Sequence, residues 1–155
     1  MSNSRQHGKA ANTKIVGMTA DVMTTLRAFY AAEAAYLTEG AAFGEMARHL
    51  ASDVVMHQAS SLPYGGEWRG HDGFRQFIAA MGDSWDGLWF DDQQFLSDGD
   101  RVVVYSRGRL RARRTGRELE TSLLQWISFR DGLITEFRPY YHDTSAVLAV
   151  LDEQA

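Results

Sequence analysis

Cysteine is absent from the 155 residues. That removes a disulfide frame, a thiol nucleophile and a thiolate metal site, and makes a reducing cytoplasm the default expectation. No apolar run is long enough to span a bilayer, and the opening MSNSRQHGKAANTK is polar where a secretory signal needs an apolar segment. The expectation is a soluble cytoplasmic protein with no membrane partner. Lysine is nearly missing: Lys9 and Lys14 both fall in that opening stretch, and arginine serves elsewhere. The composition shift puts a polar tail at residues 1–17 and a single domain at 18–155. With a net charge of -4 there is no basic field to collect phosphates, so no nucleic-acid partner is expected. No repeat and no linker divides the rest.

What is present reads as helices followed by strands. From Thr19 to about Thr38, Val22, Leu26, Phe29, Ala32, Ala35 and Tyr36 recur at helical spacing, with Thr19 or Asp21 as cap and Gly40 as the stop. A short helix, AAFGEMARHLA, precedes a strand, DVVMHQA. SSLPYGGEWRG reads as a loop and HDGFRQFIAAMGDSW as a third helix. After Leu88 come four strands broken by DGD, RTG and DG, and then a last helix that Asp143 caps. Segregated helices and an antiparallel sheet mean an α+β fold.

The turns suggest a register. A two-residue turn at Thr115-Gly116 pairs Arg113 with Glu118, Arg111 with Glu120 and Ser106 with Gln125. A second at Asp131-Gly132 pairs Gln125 with Arg138, Leu123 with Tyr140 and Thr121 with His142. One face then carries Ser106, Gln125, Glu136, Arg138, Tyr140 and His142 among apolar residues, the composition of a ligand pocket. The other carries Tyr105, Trp126, Phe137 and Tyr141, a patch suited to a homodimer interface. A slip of one residue would exchange the faces.

Several residues on this map could do chemistry. His57 or His142 can move a proton near neutral pH. Arg138 and Tyr140 could hold a developing oxyanion. Glu136 beside Arg138 reads as its orienting partner, with Ser106 and Gln125 as polar contacts for substrate. Tyr64 and Trp68, in the Gly-rich loop, suit a lid. Tyr30 and Tyr36 read as core by their spacing. No metal-ligand spacing, phosphate loop or dinucleotide fingerprint exists, so neither metal nor cofactor is expected.

The phrases SLPYGGEWRGHDGFRQF (61–77) and FRDGLITEFRPYYHDTSAVLAVL (129–151), with the element order, resemble the nuclear transport factor 2-like superfamily, in its SnoaL-like (polyketide cyclase and ketosteroid isomerase-related) branch. The resemblance implies a cone-like curved antiparallel sheet wrapped around helices, a cystatin-like α+β barrel, paired through its outer face. It implies cofactor-independent acid–base chemistry, cyclisation or isomerisation, on a hydrophobic carbonyl compound. Such relatives use a pocket carboxylate as base. Epoxide-hydrolase relatives use an Asp-Arg-Asp set that has no match here, and Arg138 and Tyr140 stand where those relatives place an acid. The alternatives are a non-catalytic small-molecule binder on the same cone, and an interaction module with a filled pocket.

Overall fold

The computed structural model describes residues 15–16 and 20–154. The elements run β1 (Ile15–Val16), α1 (Ala20–Glu39), α2 (Phe43–Ala47), β2 (Leu50–Gln58), β3 (Gly66–Arg69), α3 (Gly70–Ser84), β4 (Trp85–Asp98), β5 (Arg101–Ala112), β6 (Glu118–Arg130), β7 (Leu133–Tyr141) and α4 (Thr144–Leu151). The strands form one curved, open sheet in the order β1-β4-β5-β6-β7-β2-β3. The expected α+β architecture is therefore present. Two strand pairs run parallel rather than antiparallel, β1 with β4 and β2 with β7. Ile15 and Val16, expected in a loose tail, join the sheet edge; the rest of that tail, like the proposed caps Thr19 and Asp21, lies outside what is described side chain by side chain. The loop expected around EWRG contains β3 instead, paired with β2 from Val55↔Arg69 to Gln58↔Gly66.

The helices form where the apolar spacing placed them. Gly40 ends α1 at a φ of 69°, a conformation that a side chain disfavours. Asp143 caps α4, its carboxylate accepting from the Ala146 N–H at 3.0 Å. Leu26 and Phe29 of α1 and Phe74, Phe77 and Ile78 of α3 are buried on the sheet's inner face. There the rings of Phe29, Phe74 and Phe137 form a triangle with centroids 5.1–6.0 Å apart.

Both hairpins depart from the expected register, with opposite consequences. Between β5 and β6 the pairs are Arg111↔Glu118, Arg109↔Glu120 and Ser106↔Leu123. The shift is two residues, so every side chain keeps its face. The ion pairs change with it: Arg109 meets Glu118 at 3.5 Å and Arg111 meets Asp86 at 2.7 Å.

Between β6 and β7 the slip is odd. The turn forms as expected, with Asp131 and Gly132 both at positive φ and Arg130 opposite Leu133. A bulge then intervenes between Ser128 and Phe129, with Thr135 as the extra residue of β7. Its hydroxyl donates to the Ser128 carbonyl. Beyond it Phe137 faces Ile127, Pro139 faces Gln125 and Tyr141 faces Leu123, all on the inner side. Glu136, Arg138 and Tyr140 face outward beside Ser128, Trp126 and Leu124. The expected faces of β7 are exchanged. The physical reason is that this register buries Phe137 fully and leaves the Glu136–Arg138 ion pair near water, avoiding the desolvation of two charges.

A second bulge lies in β4 between Phe90 and Asp92. It changes which residues point inward, from Leu88 and Phe90 before it to Gln93 and Phe95 after it. The strands approach so closely there that a Cβ on Gly108 would lie 1.8 Å from the Trp89 carbonyl oxygen. Only glycine fits at that point of β5.

Candidate active site

The first half of α1 fills the core; the second half leaves a gap. Ala34, Gly40, Ala41, Ala79, Gly82 and Gly87 are too small to close the space between α1, α3 and the start of β4. The result is a cavity of about 820 Å³ with Ile78, Met81, Trp85, Leu88 and Phe90 among its apolar walls. That volume suits a ligand of several rings.

Its polar groups are few. Tyr30 and Glu33 stand one turn apart on α1 and both line the cavity. The Tyr30 hydroxyl donates to Gln125 Oε1 at 2.7 Å. Burial pushes the Glu33 carboxyl up to about 7. Burial also raises the Tyr30 phenol, and the Glu33 charge adds to the effect. Gln93 lines the same wall and donates to the buried Ser106 hydroxyl at 3.0 Å. Ser106 and Gln125 thus lie on the inner face, as the sequence suggested, where they orient the cavity residues Gln93 and Tyr30. No ion pair among the described residues engages Glu33. A carboxyl that titrates near 7 in an apolar cavity can take a proton from carbon and return it.

Glu33 was missed in the sequence reading, and so was its pairing with Tyr30. The signal available was FYAAEAAY, a lone acid among alanines one helical turn beyond a tyrosine. A helical acid reads by default as solvent-facing, and only the open wall beside it says otherwise.

The other expected site residues lie elsewhere. His57 points outward from β2 between two carboxylates, with Nδ1 3.2 Å from Glu67 and Nε2 3.8 Å from Glu136. His57, Arg138 and Tyr140 do come together, around an outer recess of about 280 Å³ that Thr144 also lines. His142 is separate, exposed beside Asp91, Arg107 and Glu120. Glu136, Arg138, Tyr140 and His142 are therefore not one wall of the cavity.

Tyr64 and Trp68 are not placed as an open lid. Tyr64 is fully buried, and its hydroxyl is 2.9 Å from that of Tyr141 and accepts from Trp85 Nε1 at 3.0 Å. Trp68 in β3 donates to the Tyr64 carbonyl. This network holds Trp85 at the cavity wall. The expected interface patch changes too. Phe137 and Tyr141 turn inward, while Leu124, Trp126 and Tyr140 stay exposed outside and Tyr105 lies half-buried opposite Leu124.

No group of three or more His, Asp or Glu side chains among the described residues could hold a metal ion. No helix there is long and apolar enough to cross a membrane.

Comparison with known proteins places this geometry. No curated protein sequence matches the chain. Among solved structures, a nuclear transport factor 2-like protein from Burkholderia xenovorans superposes with a TM-score of 0.76 at 20% identity, over 87% of this chain and 98% of its own. TerC, crystallised with polyporic acid, superposes at 0.72 and 20% identity, over 85% and 98%. A candidate polyketide cyclase from Xanthomonas campestris pv. campestris superposes at 0.68 and 21% identity, over 85% and 97%. These likenesses establish the fold. The SnoaL-like domain profile matches residues 26–137, from the buried Leu26 of α1 to the buried Phe137 of β7. A match across most of the chain, on a sheet and helices arranged as in these structures, shows that the chain belongs to the SnoaL-like domain family.

Proposed function

We propose that the protein is a cofactor-independent enzyme that moves a proton on a hydrophobic carbonyl compound, in a cyclisation or an isomerisation. The observation that carries this reading is Glu33, a carboxyl held near neutrality in the wall of an apolar cavity, one turn from a phenol. Ionised Glu33 removes a proton α to the carbonyl, and the neutral acid returns it to another carbon. Tyr30 donates to the enolate oxygen. For this the Gln125 amide turns over, so that its NH₂ donates to Tyr30 Oη and the phenol's hydrogen faces the cavity. Apolar walls exclude water and strengthen that hydrogen bond. The family and the candidate polyketide cyclase on the same fold support this direction. TerC, co-crystallised with polyporic acid on the same fold, supports a small-molecule ligand.

The test needs no known substrate. A panel of cyclic and aryl ketones is incubated in D₂O, and exchange of their α-protons is followed by NMR. The expected result is exchange above buffer for at least one member, lost by roughly 10²-fold or more in Glu33→Gln. Exchange that Glu33→Gln leaves intact would remove Glu33 as the base. Ligands that bind without any exchange would favour the non-catalytic binder.

The reading also keeps a homodimer through the outer sheet face, now on Tyr105, Leu124, Trp126 and Tyr140.

A further inference from the structure

Among the described residues one cation lines the cavity, and the proton transfer proposed above gives it no task. Arg113, just after β5, is exposed and forms part of the cavity's edge. Its backbone N–H donates to the Ser84 carbonyl at 2.9 Å. Its side-chain Nε donates to the Gly82 carbonyl at 2.7 Å, and Nη2 approaches the Trp85 carbonyl at 3.5 Å. These acceptors lie at the end of α3 and the start of β4, so one edge of the guanidinium is fixed and the other donors remain available. Arg113 donates to neutral carbonyls, whereas the nearby Arg111 is paired with Asp86 and Arg114 with Glu153.

The acids on the same cavity are Glu33, Asp83 and Asp86. Asp86 is engaged by Arg111 at 2.7 Å. Burial holds Glu33 largely protonated below neutral pH. Asp83 is exposed at the edge and opposes any anion bound there. The cavity thus has largely apolar walls, with an oriented guanidinium at its edge. An arginine fixed by carbonyls with free N–H groups matches an oxyanion well, because its planar fork can donate two parallel hydrogen bonds.

We infer that Arg113 is a specificity-determining residue, selecting ligands with an apolar body and an ionised oxyanion, a carboxylate or an acidic enol, at one end. The inference rests on the cavity being the ligand site, and it narrows the substrate class from hydrophobic carbonyl compounds to acidic ones. With the anion at Arg113, the apolar body extends inward toward Tyr30 and Glu33.

The test compares pyrene-1-butyrate with its methyl ester, by fluorescence titration of the full chain at pH 7. The wild-type protein is expected to bind the acid at least about tenfold more tightly than the ester. Arg113→Gln brings that ratio close to one by weakening the acid alone, and Arg113→Lys keeps part of the preference. Asp83→Asn, which removes the opposing charge, raises the ratio. Equal affinity of acid and ester for the wild-type protein overturns the inference. So does a loss of both in Arg113→Gln, which would make Arg113 a structural clasp between α3 and the hairpin, and so does binding of neither probe. In the wild-type protein, a missing ratio with ketone exchange intact sinks only the inference, and a ratio without exchange sinks only the proton-transfer reading.

Discussion

Glu33 and Tyr30 stand one turn apart on α1 and open into the same cavity, each with its ionisation pushed upward by burial. The Glu33 carboxyl is raised from 4.5 to about 7 in the folded protein. As a base it must be ionised, so kcat/KM for any substrate should rise with pH through an apparent pKa near 7. Stability moves the other way. The folded state holds this proton more tightly than the unfolded chain, so the Glu33 contribution to stability is greatest below about 4.5, falls between there and about 7, and then levels off. Glu33→Gln should therefore raise the melting temperature at pH 8 and change it little at pH 4.5. Equal shifts at the two pH values would contradict a raised carboxyl.

The bulge at Thr135 decides which side of β7 is buried, and stability can check it. Phe137→Ala should cost about 3–5 kcal/mol in urea unfolding, since the ring is 1% exposed and packed on Phe29 and Phe74. Tyr140→Ala should leave the midpoint nearly unchanged at concentrations where the chain is monomeric, because 59% of that side chain is exposed. The reverse order would restore the register without a bulge.

Tyr64 should prove to be a support rather than a lid. Tyr64→Phe leaves the Trp85 N–H and the Tyr141 hydroxyl without their buried partner. The expected loss is about 1–3 kcal/mol of stability, with a shift in tryptophan emission from Trp85. A lid residue would instead alter ligand release rates and leave unfolding unchanged.

The outer face gives a prediction about assembly. Leu124, Trp126 and Tyr140 are 44%, 40% and 59% exposed on neighbouring strands. Sedimentation of the wild-type protein should give twice the 17.4 kDa chain mass. Trp126→Arg should give a folded monomer, because it removes the largest apolar side chain of the patch and puts a third cation beside Arg101 and Arg138. A wild-type monomer at every concentration would remove the interface.

The turn at Asp131-Gly132 was legible in the sequence and so was each helix, yet the face of β7 was not. A strand reading ITEFRPYY has aromatic residues in both alternate sets, so its pattern does not choose a side. Thr135 became an extra residue because Phe137 found Phe29 and Phe74, which lie on two helices far away along the chain. Alternation carried β5 and β6 safely through a wrong register because that error was even.

The sequence by itself determined the α+β order, the turn positions, the caps at Gly40 and Asp143, and the inward placement of Ser106 and Gln125. Those follow from local backbone preference and from a two-residue period. Tertiary structure alone decided that Glu136, Arg138 and Tyr140 meet solvent and that small residues on α1, α3 and β4 leave a cavity. It alone made Glu33 a near-neutral acid and set Arg113 at that cavity's edge. Burial and charge depend on what packs across the gap, and no stretch of chain contains its own neighbours.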